Sequence, residues 1–539
     1  MKCDSIGQML WLTVLASISN GGVSFFVVPS GPTTRLSATF TKTQLQSSSI
    51  SPPQTTSGVE EGSVSEAARA ERSRIAKQTW STIALSETPN ISKTMDLTLP
   101  SADNANVYDM ESFKDFLQLK GTYFMNGLAS CEIGDRLIHP FEAHGYVKSL
   151  SFDGEGKLHY KAKIVDTPLT VQERSLNKPL AKGVMSSLLD VNNVLDQIKL
   201  MLSPIDRDTA NLVANVWPPP ESDAVKNGFL EPMLIVATDN GSPFALDLNT
   251  LEMKGLLSFV LKEKAQAGGS GLAYLNDSAD VLNTNEILAH ARYDKRRDRF
   301  IMCKSKFDIP GEANRGNTVL EFLEFDSSFR LVSSRRFKTR FMVMHDWMIT
   351  DQYYVVPKNP AKLQWGNLGK FVLGKALGVD IFTMDEECVS ELVFIPRHAG
   401  AVDNDDDVLE VKADNFFTVF HFGPCFEPIT ECGTRTNSEE GDIVVYSSIF
   451  DSYDFGGEMG FDALTQEFDP IAWSSSKGVP APRFDKFVIR DGVLIHRERL
   501  PLLDKNGEDV PVDMLTFAGD GERCRYVYGL GASREEGEI

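Results

Sequence analysis

Three of the eight histidines in the chain share a setting that suits a metal site. His290 ends a short apolar run, His345 lies inside the apolar run Phe341–Ile349, and His421 closes the run Phe416–Phe420. A ring nitrogen that is buried without a partner costs about 1–3 kcal/mol, so each imidazole needs a polar neighbour. Three imidazoles on separate strands can satisfy one another through a metal ion. The alternative is three unrelated core histidines bonded to backbone carbonyls, and separations far longer than those of local metal motifs leave both interpretations open.

Other residue types that often build reactive sites give weaker patterns. The seven cysteines are scattered and form no CxxC pair, which indicates neither a disulfide framework nor a thiolate zinc site. Ala267–Gly271 lacks the Lys and Ser/Thr of a phosphate-binding loop, and the acidic run Asp403–Asp407 lacks the spacing of a calcium loop. The net charge of −21 and the pI of about 4.9 disfavour nucleic acid as a partner, because the surface repels phosphates.

Short strands must position these histidines, because runs of β-branched and aromatic residues alternate with turn residues from about Leu119 onward. This spacing predicts an all-β sandwich, barrel or propeller. Two segments have helical periodicity instead, Met185–Leu202 and Leu363–Leu377. The predicted strands include Leu158–Val165, Pro232–Thr238, Phe300–Phe307, Phe341–Thr350, Tyr353–Val356, Phe416–Phe422 and Ile443–Phe450.

The N-terminal region has the composition of a targeting sequence. Met9–Ile18 is too short to span a bilayer but has the length of a signal-peptide apolar region. Gly21–Pro29 resembles the cleavage motif of plastid-bound proteins, with cleavage after Ser24. Pro32–Gly58 is rich in Ser, Thr, Gln and Pro and contains no Asp or Glu, which is typical of transit peptides.

We therefore predict four regions. Residues 1–24 are a signal peptide, 25–62 a disordered plastid transit-type segment, 63–109 a helical or irregular lead-in, and 110–539 the β-rich body. Within the lead-in, Glu66–Trp80 is expected to form a charged helix. The expected location is the plastid, in association with an internal membrane. A secreted protein with a disordered spacer is the alternative.

Several motifs follow one another in a characteristic order along the body of the chain. This ordered set, over roughly residues 110–535, resembles the carotenoid cleavage oxygenase family. The segments that carry the resemblance are Gly121–Gly127 (GTYFMNG), Phe152–Gly156 (FDGEG), Asp239–Asp247 (DNGSPFALD), Leu288–Ala291 (LAHA), His345–Thr350 (HDWMIT), Phe420–Phe422 with Glu427 after it, and Arg525–Gly531 (RYVYGLG).

The resemblance implies a seven-bladed β-propeller with helical elements on its top face. It also implies Fe2+ held by His290, His345 and His421, with Asp239 and Glu427 as carboxylates behind the imidazoles. Outer carboxylates of this kind orient the rings and fix their tautomers. The implied reaction is the oxidative cleavage by O2 of a conjugated double bond in a carotenoid or apocarotenoid.

Two further expectations follow from the same resemblance. Leu363–Leu377 occupies a place where family members contact membranes, although a helix packed on the propeller is an equal alternative. The family's fourth histidine lies in a Gly-x-His segment after the strand that matches Arg525–Gly531, so we expect this chain to resemble a C-terminally incomplete member with an incomplete last blade. A non-catalytic protein that binds a pigment or a protein partner, and a metal-free propeller used for interactions, are the competing interpretations.

Overall fold

The computed structural model describes residues 24–29, 66–79, 84–97, 117–181, 183–185, 207–308, 317–367, 378–397, 407–427, 442–452, 461–462, 467–469, 482–503, 507, 509–517, 519–524 and 526–531. Within these ranges, no helix combines the length and the apolar character needed to cross a membrane.

The first half of the chain contributes strand β1, helix α1 and two four-stranded sheets. The elements before sheet 1 are β1 (Ser24–Pro29) and α1 (Glu66–Thr79). Sheet 1 contains β2 (Ile91–Asp96), β3 (Lys120–Met125), β6 (Tyr146–Asp153) and β7 (Lys157–Ile164). A separate hairpin contains β4 (Glu132–Ile133) and β5 (Arg136–Leu137). Helices α2 (Pro168–Leu176) and α3 (Asp223–Lys226) accompany sheet 2, which contains β8 (Val213–Trp217), β9 (Met233–Ala237), β10 (Phe244–Asp247) and β11 (Met253–Leu256).

The second half contributes four further sheets. Helices α4 (Leu257–Ala267) and α5 (Leu275–Leu282) precede sheet 3, which contains β12 (Arg292–Asp294), β13 (Arg299–Asp308), β14 (Asn317–Phe325) and β15 (Leu331–Arg340). Sheet 4 contains β16 (Met342–Val343), β17 (Met348–Ile349), β18 (Tyr353–Leu363), β19 (Phe382–Met384), β20 (Glu391–Pro396) and β21 (Leu409–Lys412). Sheet 5 contains β22 (Thr418–Phe426), β23 (Ile443–Phe450), β26 (Arg483–Arg490) and β27 (Val493–Arg499), with the separate pair β24 (Phe461–Asp462) and β25 (Glu467–Phe468). Sheet 6 contains β28 (Val512–Phe517), β29 (Tyr526–Gly531) and the N-terminal β1.

Consecutive sheets pack face to face, which explains why their middle strands are apolar on both faces. In β9, Leu234 shares a buried cluster with Val147 of sheet 1, while its neighbour Ile235 shares one with Phe300 of sheet 3. Successive side chains of a strand point to opposite faces, so one strand serves two clusters. The same alternation recurs in sheets 3, 4 and 5. The all-β prediction is confirmed, and this arrangement is the one by which propeller blades pack.

The strand predictions hold best where apolar runs are continuous and fail at irregular backbone. Ile443–Phe450 is confirmed as β23. Phe341–Thr350 is wrong as one strand, because it divides into β16 and β17 on either side of His345. β22 continues through Gly423 and Pro424, where a strand end is predicted, because its register with β23 shifts between Phe422 and Cys425. Such a bulge accommodates residues that a regular ladder excludes.

Three other predictions have different outcomes. Helix α1 confirms the charged helix predicted over Glu66–Trp80. Most of Met185–Leu202 and the part of Leu363–Leu377 after Asn367 lie outside the described residues, and Leu363 itself ends β18. In the predicted targeting region, Ser24–Pro29 forms β1 and pairs antiparallel with β29.

Candidate metal site

The three histidines lie at the first strands of three successive sheets. His290 is in the loop that leads into β12, His345 is between β16 and β17, and His421 is in β22. β12, β16 and β22 are edge strands of their sheets. Only His421 lies within a strand, so the expectation of three strand histidines is correct for one of them. The backbone around His290 and His345 is irregular, so neighbouring side chains, rather than a partner strand, can hydrogen-bond to it.

The imidazoles converge on one point. The Nε2 atoms of His290 and His345 are 3.1 Å apart, and one ring nitrogen from each of the three residues lies within 4.8 Å of the others. The side chains are 22%, 15% and 8% exposed in chain order. Ring nitrogens bound to one ion at about 2.1 Å lie about 3 Å apart. The separation between His290 and His345 matches this value, and His421 is near enough for the three residues to be candidate ligands of one ion.

Each imidazole also has a carboxylate near its Nδ1 atom. Asp239 hydrogen-bonds to Nδ1 of His345, and Asp513 Oδ1 lies 2.8 Å from Nδ1 of His421. The third ring is less closely supported, since Asp346 Oδ1 lies 3.9 Å from Nδ1 of His290. A carboxylate that accepts a hydrogen bond from Nδ1–H keeps the proton on Nδ1, which leaves Nε2 of a neutral ring unprotonated and able to bind a metal.

In the metal-free site, the pKa of His290 favours the neutral ring that a metal needs, whereas the pKa of His345 favours the protonated ring. Burial, with the neighbouring imidazoles, lowers the pKa of His290 to about 3, so that ring is neutral at neutral pH. Burial opposes charge on His345 as well, but Asp239 outweighs it and raises the pKa of His345. Burial would raise the pKa of Asp346, yet the adjacent Arg292 guanidinium and the imidazoles bring it down to about 2. The pKa of Asp513 is also lowered, because His421 outweighs its burial.

The two carboxylates expected from sequence have different surroundings. Besides its bond to His345, Asp239 accepts a hydrogen bond from the Ala289 amide at 2.8 Å, which links it to the segment of His290. Glu427 accepts hydrogen bonds from the Thr350 hydroxyl at 2.6 Å and from the Gln352 amide at 3.1 Å. Glu427 therefore stabilises the turn that follows β17.

The sequence predictions missed two carboxylates of the site, Asp346 and Asp513. Asp513 stands in β28, whose other residues are mostly apolar, so an acidic residue in that strand was the available signal. Its partner His421 is far away in sequence, and their pairing depends on the edge strands of sheets 5 and 6 lying together. The contacts between β22 and β28 establish this neighbourhood.

One side of the site is apolar and aromatic. The Phe420 ring stacks on the His345 ring with centroids 4.3 Å apart and an interplanar angle of 13°. Phe420 in turn packs in a cluster with Met384, Phe450 and partly buried residues that include Phe141. The histidine cluster therefore lies directly against an apolar, aromatic cluster.

Fold and site together describe an all-β protein built from successive packed sheets, with three histidines grouped where they could hold a metal ion. The sequence profile of the retinal pigment epithelial membrane protein (RPE65) family matches residues 117–538. The chain therefore belongs to this family, whose relatives include carotenoid and apocarotenoid cleavage oxygenases.

Individual relatives are distant but similar over long stretches. Carotenoid cleavage dioxygenase 7, chloroplastic, of Oryza sativa subsp. japonica is 23% identical over 448 residues, which cover 77% of this chain and 69% of the relative. Apocarotenoid-15,15'-oxygenase of Synechocystis sp. is 25% identical over 342 residues, 62% of this chain and 57% of that protein. A structure of the cobalt-substituted Synechocystis apocarotenoid oxygenase superimposes with a TM-score of 0.59 at 18% identity, over 83% of this chain and 77% of that one. The superposition shows that the chain has the β-propeller fold of that enzyme.

Proposed function

We propose that this protein is an Fe(II)-dependent oxygenase that uses O2 to cleave a conjugated double bond of a carotenoid or apocarotenoid. The observation that carries the proposal is the convergence of His290, His345 and His421 beside an apolar aromatic surface. The family relationship supports the substrate class. We also propose the seven-bladed form of the propeller, which the packing of six successive sheets supports.

The donor set fits a divalent iron ion. Neutral imidazoles leave the charge of the ion intact. His290, His345 and His421 would hold it through the ring nitrogen other than Nδ1, because the Nδ1 atom of each ring faces a carboxylate. When bound, Fe(II) supplies the electrons that activate O2. Asp239 and Asp513 would orient two of the rings, and Glu427 would act further out by holding the turn that follows β17.

The remaining work of the protein is to bind and orient the polyene. Phe420, together with Phe450 and Met384, offers an apolar surface next to His345. Such a surface holds a rigid hydrocarbon by burial of its area, excludes water from the reacting bond and sets which double bond lies at the metal. Side-chain identities at this surface would therefore determine the cleavage position.

A plastid location and peripheral contact with an internal membrane complete the proposal. The word chloroplastic in the names of the plant relatives supports the location. Support for membrane contact comes from Trp365, which lies at the start of the Leu363–Leu377 segment and is 46% exposed. Val184 is half exposed and bonds through its carbonyl oxygen to the amide of Val379, just beyond this segment. Exposed aromatic and aliphatic side chains are suited to the membrane interface.

A second candidate function is pigment binding without turnover. It is favoured by the apolar, aromatic cluster beside His345, which would hold a pigment whether or not a metal ion is bound. The two functions share the apolar surface and differ in the metal chemistry. Substrate binding alone therefore does not separate them.

Anaerobic loading with Fe(II), followed by addition of O2 and a carotenoid or apocarotenoid, tests the proposal. We expect one metal ion per chain and aldehyde or ketone products with the wild type, and neither with His345→Ala. The matched control is His496→Ala, because the His496 side chain is 57% exposed on strand β27. Bound pigment that stays intact in the iron-loaded protein would favour the second function. Absence of stoichiometric metal would contradict the metal site.

A further inference from the structure

One buried carboxylate contacts all three histidine-bearing segments. Asp346 directly follows His345, and its side chain is 3% exposed. Its Oδ2 accepts a hydrogen bond at 2.8 Å from the amide of Phe422, the residue after His421. Its Oδ1 lies 3.9 Å from Nδ1 of His290. A single side chain thus reaches three ligand positions that come from three different sheets.

Arg292 completes this connection. Its guanidinium donates a hydrogen bond to Asp346 Oδ1, and its Nε donates to the carbonyl oxygen of Trp347 at 2.6 Å. Arg292 stands two residues after His290, so both bonds join the His290 segment to the His345 segment. The indole Nε1 of Trp347 in turn donates a hydrogen bond at 2.8 Å to the carbonyl oxygen of His290.

We propose that Asp346 and Arg292 act as a positioning pair that sets the relative placement of His290, His345 and His421. The inference rests on the proposed function for its purpose, because it assigns to the pair the preorganisation of a metal site. Neither residue needs to touch the metal or the substrate. Their role is to hold the ligand-bearing segments at a spacing that one ion can bridge.

The local backbone explains why such a pair is needed. β22 is an edge strand of sheet 5, and its register with β23 shifts on both sides of His421 and Phe422. Regular strand pairing therefore does not hold the Phe422 amide at the edge that faces away from β23. His290 and His345 lie outside strands. Because the ligand segments lack shared strand pairing, side-chain hydrogen bonds order them. Asp239 joins the His290 and His345 segments, and the charge-assisted bonds of Asp346 and Arg292 add the connection to His421.

Another buried aspartate provides a comparison. Asp485 is also 3% exposed and pairs with Arg497 at 2.8 Å and with Arg483 at 3.4 Å. All three of these residues belong to β26 and β27, so their two ion pairs lie within sheet 5 and stabilise it. Asp346→Asn and Asp485→Asn remove the same charge from similarly buried sites, and only the first should disturb the spacing of the histidines.

The first measurement is titration of the metal-free protein with Co(II), followed by its visible absorption. We expect Asp346→Asn to weaken Co(II) binding by about 10- to 100-fold, the usual effect of losing an outer partner of a metal ligand, and to alter the cobalt spectrum. Asp485→Asn should bind Co(II) as the wild type does. Arg292→Lys is a milder variant, and its affinity should lie between those of the wild type and Asp346→Asn. The double variant Asp346→Asn/Arg292→Lys should bind no more than about twofold more weakly than Asp346→Asn, because residues of one network are not additive.

The second measurement is hydrogen exchange of the metal-free proteins, which does not depend on the proposed function. Asp346→Asn, or Arg292→Lys if the first variant does not fold, should speed exchange in the segments around all three histidines. Exchange confined to the mutated segment, or the same Co(II) affinity in Asp346→Asn and Asp485→Asn, would overturn the positioning role. A wild type that binds no Co(II) would refute the proposed metal function instead, and the exchange pattern would still decide the role of the pair.

Discussion

Glu173→Gln should destabilise the fold strongly at neutral pH, because Glu173 is the centre of a fully buried ionic network. Its side chain is 0% exposed, and it hydrogen-bonds to His144 Nε2 at 2.7 Å. The Arg207 guanidinium binds both carboxylate oxygens at 3.0 Å. The segment of Arg207 also contacts the strand that leads to Asp239. Asn211, on the same segment as Arg207, accepts a hydrogen bond from Thr238, the residue before Asp239.

The size of the effect follows from the ionisation of Glu173. Burial alone would raise its pKa, but the bond from His144 and the charge of Arg207 lower the pKa from 4.5 to about 2. This difference corresponds to about 3 kcal/mol of unfolding free energy. Breaking a buried pair so that one charge is left unpaired costs about 3–5 kcal/mol, which is consistent with that value.

The lowered pKa of Glu173 also predicts how the destabilisation by Glu173→Gln changes with pH. A carboxylate with a lowered folded-state pKa stabilises the protein fully above its unfolded pKa, here 4.5, and loses that contribution as the pH falls through about 2. The difference in unfolding free energy between wild type and Glu173→Gln should be about 3 kcal/mol at about pH 7 and about 2 kcal/mol at about pH 3.5.

Urea unfolding followed by tryptophan fluorescence at several pH values measures this difference. Glu71→Gln is the control, because Glu71 forms an exposed pair with Arg74 on α1 and its loss should leave stability unchanged. A difference below about 1 kcal/mol at about pH 7, or one that stays constant down to about pH 3.5, would refute the reasoning.

Two further predictions concern the metal site. Asp513→Asn should weaken Co(II) binding by about 10- to 100-fold, because it removes the carboxylate on Nδ1 of His421, and unchanged affinity in a titration would contradict that role. Phe420→Leu keeps an apolar side chain but loses the stacking on His345, worth about 0.5–1.5 kcal/mol, so Co(II) affinity should fall by about tenfold at most while the KM for a polyene rises. A KM equal to that of the wild type would show that Phe420 does not contact the substrate.

The strands that could be predicted from sequence are those buried on both faces. β9, β13 and β23 are continuous apolar runs bounded by turn residues, and the structure places them within two residues of the predicted limits. Helices α4 and α5 were missed, although Leu257, Leu261 and Ala265 recur at helical spacing and are buried. Irregular backbone, such as the division at His345, depends on side-chain contacts made across sheets, which local periodicity does not report.

The site could be predicted in part, and mainly through the family resemblance. From residue types alone, His290, His345 and His421 remained compatible with unrelated core positions, because only the packing of successive sheets brings their edges together. Asp513 joins the site through sheet 6, and the role of Asp346 depends on Phe422 in sheet 5. Contacts of this kind, between residues far apart in sequence, leave no spacing signal along the chain.

Iron-dependent cleavage of a polyene by the purified protein is the most direct test of the account. The protein should be loaded with Fe(II) without oxygen, mixed with a carotenoid or apocarotenoid, and exposed to 18O-labelled O2, with mass spectrometry of the products. The account predicts labelled carbonyl products from the wild type and none from His345→Ala or from the metal-free protein. Intact polyene in the presence of stoichiometrically bound iron and O2 would contradict it.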